Sequence, residues 1–192
     1  MSQSNHPPVL TSLAIIRDRP EMTARSTIRA VGLFTVTRCG DREARFHVHH
    51  AGFDRSASRA EIIDGICARI APGSQLLARV PRVPRGCVEQ ALAAGEPLAP
   101  ADIQLIQRQL PGIDLVPVQI AERQLASAAD EIGIACAGRS APIWERARRA
   151  PEAAQLLWLL YLQSFCPPRE WTDLSAAWRA WSLIEQARPL GF

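Results

Sequence analysis

Lysine is absent from this chain of 192 residues, so all 22 basic side chains are arginines. A guanidinium is a planar, two-pronged donor suited to carboxylates and phosphates. The arginines here stand mostly scattered among alanines, as compositional bias would leave them. Against 19 acids they give a net charge of +3, too small to mark a nucleic-acid binder by charge alone. Cysteine is sparse and odd in number: Cys39, Cys67, Cys87, Cys136 and Cys166, with no CxxC pair. That excludes a disulfide framework and a structural zinc knuckle and points to free thiols in a reducing compartment. There is no Walker loop, GxGxxG, GxSxG or HExxH, which removes the common nucleotide-binding and hydrolase signatures. Long apolar runs are missing too. The most apolar stretch, Leu156 to Leu162, is flanked by Gln155 and Gln163 and falls far short of the roughly 20 residues a membrane helix needs. The opening segment lacks a basic stretch followed by an apolar one. The expected location is therefore cytoplasmic, with no membrane partner.

What is present is ordinary globular composition, 47% hydrophobic and 21% charged, at a length that suits one domain. Residues 1–8 are expected to form a flexible arm. Residues 9–192 are expected to form a single α/β domain with a C-terminal helical extension over 142–192. Strands are expected at Val9 to Ile16, Ile28 to Thr37 and Glu43 to His50. The second has apolar residues on both faces, as a central strand does. The third alternates, with Ala44, Phe46 and Val48 on one face and Arg45, His47 and His49 on the other. The turn at Arg38-Cys39-Gly40-Asp41 makes these two a hairpin. Ser58 with Glu61 reads as a capping box, and Ile62, Ile63, Ile66 and Ile70 follow at helical spacing. Further strands are expected at Gln75 to Val80 and Asp114 to Val118. Further helices are expected at 85–94, 100–110, 119–132 and 142–164, and a last one from Thr172. Three antiparallel strands followed by helix-linked parallel strands predict a mixed sheet flanked by helices.

That order, with LAIIRDRPEM and IRAVGLFTV as its first strands and LASAADEIGI and ERARRAPEAAQLLWLLYL as its late helical region, resembles the ribonuclease H-like fold. The specific resemblance is to the DnaQ-like 3′–5′ exonucleases, over roughly residues 10–165. The resemblance implies an Asp-x-Glu pair on the first strand, a third carboxylate near the fourth strand and a late aspartate preceded by histidine. Those acids hold two metal ions at the scissile phosphate. This chain departs from the motifs. It reads Arg17-Asp18-Arg19 in place of Asp-x-Glu, ARVPRVPRG offers no acid, and Glu152 stands at the late position with Ala147 five residues before it. Arginine where a dication binds replaces attraction by repulsion. The expectation is thus a degenerate metal pocket formed by Arg17, Asp18, Arg19 and Glu152, with no catalytic residue, no metal and no cofactor. Such a pseudoenzyme would bind single-stranded nucleic acid or a protein partner. The alternative is an active exonuclease using Mg²⁺ or Mn²⁺ on displaced ligands such as Asp18 and Glu21. An Asp-x-x-Glu spacing on a strand sends those side chains to opposite faces.

Other groups carry their own readings. Arg79, Arg82 and Arg85 recur every third residue between prolines, where polyproline geometry aligns them as a strip for phosphate or an acidic partner. His47 and His49 share a strand face about 6–7 Å apart by strand rise, a metal-capable pair but in the first instance a solvated face. Arg146, Arg148 and Arg149 read as a solvated helix face neutralised by Glu145 and Glu152. Cys39 beside Arg38 has no base partner and reads as an ordinary thiol. Trp171, Leu174, Trp178 and Trp181 form one helical stripe. It either docks on the chain's own core or offers a partner or homodimer surface, since tryptophan favours such sites.

Overall fold

The computed structural model describes residues 9–18, 27–39, 43–80, 95–118 and 141–187. The expected N-terminal arm and the helices expected at 85–94 and 119–132 lie outside these residues, as do Arg19, Arg82, Arg85, Cys87 and Cys136.

The strands are β1 (Val9–Arg17), β2 (Ile28–Arg38), β3 (Ala44–Gly52), β4 (Gln75–Arg79) and β5 (Asp114–Val118). They form one mixed sheet in the order β3-β2-β1-β4-β5. β2 runs antiparallel to both neighbours, while β1, β4 and β5 pair in parallel. The β2–β3 hairpin is present, closed by Cys39 N–H donating to Glu43 O at 2.9 Å.

The central strands are apolar on both faces because both faces are covered. Leu10, Ala14, Phe34, Val36 and Leu77 pack on one side against α4 (Ala150–Phe165) and α5 (Pro168–Ala187). Leu13, Ile15, Val31, Leu33, Leu76 and Ala78 pack on the other against α1 (Arg59–Cys67) and α2 (Pro100–Gln109). The period-two alternation of a strand sorts these residues. Helix α4 is buried along most of its length, ten residues from Ala150 to Leu162, and burying each large apolar side chain is worth about 1.5–3 kcal/mol. Ser12 fastens α4 to the sheet: its hydroxyl donates to Ala154 O at 2.7 Å. The helix begins directly over β2, where Gly32 leaves room. A Cβ at Gly32 would stand 2.0 Å from Ala150 O.

The helix expected over 142–164 is two helices, α3 (Ile143–Arg148) and α4, separated at Arg149 with φ −91° and ψ 6°. Pro151 sits in the first turn of α4. A proline has no N–H to continue a ladder and clashes with the preceding turn, so it starts a new helix. The last helix starts at Pro168 and not near Thr172, again with proline in the first turn, where its missing donor costs nothing. β1, β2 and β3 end one or two residues later than expected, β3 starts one residue later, and β4 ends one residue earlier.

The capping box at α1 forms as read. Ser58 Oγ accepts Glu61 N–H at 3.2 Å and Glu61 Oε2 accepts Ser58 N–H at 2.7 Å. These bonds to Ser58 hold the Glu61 carboxyl below its ordinary value. Ser58→Ala is expected to lose about 1 kcal/mol in urea unfolding at pH 7. The depressed Glu61 value sets the sign with pH: its contribution is present above the ordinary glutamate range and fades as pH falls through the depressed one. The difference between the two proteins should therefore shrink on acidification. A pH-independent gap would show that Glu61 takes no part in the cap.

The tryptophan stripe of α5 turns inward. Trp178 is 5% exposed and donates from Nε1 to Gln155 Oε1 at 2.9 Å. Trp181 packs on Phe34 and Phe46 at ring-centroid distances of 5.7 and 5.5 Å. Trp171 is half-buried against the same core. An apolar stripe at helical spacing docks wherever apolar surface is nearest, and here that surface is the sheet. The three residues read as a partner surface are thus largely covered by the chain itself. The large apolar residues exposed on α5 are Leu183 and Ile184.

Candidate functional site at the ends of β1 and β4

From β1 the chain proceeds to β2 on one side of the sheet, and from β4 to β5 on the other. A crevice at such a switch point, beyond the strands' carboxyl ends, is the favoured binding place of open α/β sheets. In this protein β1 and β4 hydrogen-bond only across Leu10–Leu13 and Gln75–Ala78. Beyond that register a short segment wedges between them. Glu96 N–H donates to Ile15 O of β1 at 2.8 Å, and Leu98 N–H donates to Arg79 O of β4 at 2.9 Å. Gly95 makes the entry possible. Its φ is +79°, and a Cβ there would lie 2.8 Å from the Ala14 Cβ.

The wedge brings a carboxylate into an arginine cluster. Arg17, the last residue of β1, donates its backbone N–H to Glu96 Oε2 at 2.9 Å and its Nη2 to Asp102 Oδ2 at 2.7 Å. Arg146 reaches in from α3, donating Nη1 to Glu96 Oε1 at 2.8 Å and Nη2 to Arg17 O at 3.1 Å. Arg59, at the start of α1, closes on the other Asp102 oxygen at 2.7 Å from Nε and 2.6 Å from Nη2. Arg79 donates to Gly95 O. Arg17, Glu96, Asp102 and Arg146 are all buried, while Arg59 stands half in solvent.

Burial dominates the electrostatics of Glu96. It pushes the carboxyl up to about 7, against the pull of Arg146, the Arg17 N–H and the Arg17 charge. Burial also draws the Arg79 guanidinium down, and Glu96 draws it back up. The sequence placed Arg17 in a pocket with Asp18, Arg19 and Glu152; the acids it meets are Glu96 and Asp102, which sequence reasoning passed over. Their only local signals were a glycine before Glu96 and an aspartate in the first turn after Pro100.

Asp18 accepts the Thr27 N–H at 2.9 Å and pairs with Arg29 at 3.7 Å, so it closes the approach to β2. Glu152 is in the first turn of α4. Desolvation raises its carboxyl, while Arg149 and Arg148 lower it. Arg79 is half-buried and donates to Gly95 O, while Arg82 and Arg85 of the expected strip lie outside the described residues. Arg146 is buried as well, so the arginine face of α3 is not wholly solvated: a salt bridge to Glu96 draws one member inward. His47 and His49 stack edge-on at 4.3 Å on β3, an outer strand of the sheet. Burial, then the charges of His47 and Arg69, lower His49. Cys39 is exposed, and burial pushes Cys67 and Cys166 up to about 11.

Among the described residues no three or more His, Cys, Asp or Glu side chains group to hold a metal ion, and no helix is long and apolar enough to cross a membrane. The donor set of this cluster does not suit the two dications implied by the exonuclease resemblance. Guanidiniums stand 2.7 Å from the Asp102 carboxylate and 2.8 Å from the Glu96 carboxylate. A divalent ion approaching either carboxylate meets fixed positive charge in a medium where charges interact strongly. No family model matches the chain, and no curated protein or solved structure matches it.

Proposed function

We propose that the chain is a ribonuclease H-like, exonuclease-like domain that binds single-stranded nucleic acid without cleaving it. The sheet order β3-β2-β1-β4-β5 with β2 alone reversed supports the fold reading, since element order and strand direction both agree with that architecture. The observation that carries the functional reading is the pair of arginines, Arg17 and Arg146, seated on the two acids at the end of β1. Internal guanidiniums supply there the positive charge that metal ions supply in a two-metal nuclease. Asp18, the ligand on which an active enzyme with displaced ligands would depend, is engaged by Thr27 and Arg29. Because fold and function are separable, nucleic acid as the partner follows only from analogy with the exonuclease-like fold, and a binding experiment decides it.

Purified protein with Mg²⁺ or Mn²⁺ and end-labelled single-stranded DNA or RNA is expected to leave the strand intact. It should retain the strand on a filter with an affinity that falls as salt rises, by a log–log slope of about 0.9 or less per phosphate contacted. Cleavage that disappears in Asp18→Ala would make the chain an active nuclease. Retention indifferent to salt, or none at low salt, would move the reading to a protein partner.

A further inference from the structure

We infer that His47 and His49 of β3 form a two-imidazole chelate for a late first-row divalent ion, of the class of Ni²⁺ and Cu²⁺. β3 is an outer strand of the sheet, and the period of two sends both side chains to one face. That face is the α1 side, since His49 pairs with Leu33 of β2, which lies in the core beneath α1. His47 is exposed and His49 half-buried, so an ion reaches them from solvent. Successive side chains on one strand face stand about 6–7 Å apart, yet the two ring centroids lie 4.3 Å apart, with the planes at 79°. The rings have converged. Two imidazoles about 2.0–2.1 Å from one ion through nitrogen, and subtending a right angle at it, place their centroids about 4.5 Å apart. A right angle belongs to square-planar and octahedral ions, which selects Ni²⁺ and Cu²⁺ among the metals that imidazole suits.

Both rings are uncommitted. Among the described residues neither His47 nor His49 enters a hydrogen bond or an ion pair, whereas His50, on the opposite face, meets Ala147 O through Nε2 at 3.1 Å. A neutral imidazole is the form that binds metal, and partial burial, then the charges of His47 and Arg69, favour the neutral form of His49. Arg69 lies just beyond α1, where it donates to Gly65 O at 2.6 Å. It opposes the ion, as does Arg45 on the same strand face, but water screens charges at an exposed face. Two protein ligands leave the other coordination positions to water or to a group on a partner, so the ion is an exchangeable surface cation and not a structural one. The site does not depend on Glu96, on Asp102 or on the nucleic-acid reading.

The test titrates the full chain with Ni²⁺ at pH 7.5 by calorimetry. Ni²⁺ is preferred to Cu²⁺ as the probe because the Cys39 thiol is exposed and copper also takes thiol ligands. His6→Gln in every protein removes the one histidine outside the HxHH run. Saturable binding is expected, and His47→Gln or His49→Gln should weaken it at least about tenfold, because the second imidazole acts at the high effective concentration of a shared strand. His50→Gln is the control and should leave the affinity unchanged. Arg69→Gln should tighten binding about twofold or more by removing a like charge. Mg²⁺ should give no saturable heat, since it takes oxygen ligands. Absence of saturable Ni²⁺ binding, or an affinity untouched by His47→Gln, overturns the inference, and so does an equal loss in His50→Gln. Should the half-buried His49→Gln variant not fold, the exposed His47 decides alone.

Discussion

At pH 8, Arg146→Ala is expected to lower unfolding stability by about 3–5 kcal/mol, the cost of removing one partner from a buried ion pair. The side chains of Arg146 and Glu96 are 7% and 1% exposed and meet at 2.8 Å. Without the guanidinium the ionised carboxylate keeps the Arg17 N–H but loses its strongest charge partner. The pH dependence follows from the raised value of Glu96, about 7. Arg146 lowers that value, so its removal raises it further. Below about 7 both folded proteins carry a neutral Glu96 and the charge component of the loss is small. Above about 7 the wild-type carboxylate ionises beside its partner while the variant resists, and the gap widens. Denaturant titrations at pH 5.5 and 8 measure this directly. A double variant, Arg146→Met with Glu96→Leu, should recover much of the loss, because replacing both charges leaves neither stranded. A loss that is equal at both pH values and is not recovered in the double variant would mean that Arg146 acts through packing alone.

Gly32→Ala is the second large effect expected, a loss of about 3 kcal/mol, at the upper end for overpacking. The added Cβ would stand 2.0 Å from Ala150 O and 2.2 Å from its carbonyl carbon. These are backbone atoms at the start of α4 and cannot rotate aside. α4 would have to lift from β2, and with it the aromatic cluster of Phe34, Phe46, Trp158 and Trp181, whose centroids lie 5.3–5.8 Å apart. For a chain of this size the thermal midpoint should fall by about 6–12 °C. Gly52→Ala is the control. A Cβ there meets nothing within 4 Å, and a change within about 0.5 kcal/mol is expected. Similar changes at both positions would show that the α4 contact at Gly32 does not set the effect, since the entropy lost by the unfolded chain on Gly→Ala favours folding at either site.

The sequence made the local elements legible wherever one residue pattern has one physical outcome. Val9 to Arg17 and Ile28 to Arg38 carry apolar side chains on both faces, and only a strand covered on both sides buries them all. Ser58, Glu61 and the isoleucines at 62, 63 and 66 mark the start and the buried face of α1. The hairpin was legible because the Arg38–Asp41 turn and the alternation of β3 are short-range features. The break at Arg149 was less so, because a Pro-Glu pair inside an apolar run is compatible with one kinked helix or two.

The candidate site was legible only at Arg17. The partners that define it lie 79 and 85 residues along the chain from Arg17, and Arg146 lies 50 residues from Glu96. Nothing local distinguishes Glu96 and Asp102 from solvent-exposed acids. The tryptophan stripe posed the same problem: spacing reveals that α5 has an apolar face but not what covers it. Periodicity, capping and turn chemistry act over a few residues, so the chain by itself determined its strands, its α1 cap and its mixed α/β class. Which arginines meet which acids, whether Trp178 faces the core or a partner, and which backbone carbonyl presses on Gly32 depend on distances between segments far apart in sequence. Those distances exist only once the sheet has ordered itself as β3-β2-β1-β4-β5 and the desolvation of its two faces has decided which charges must be paired.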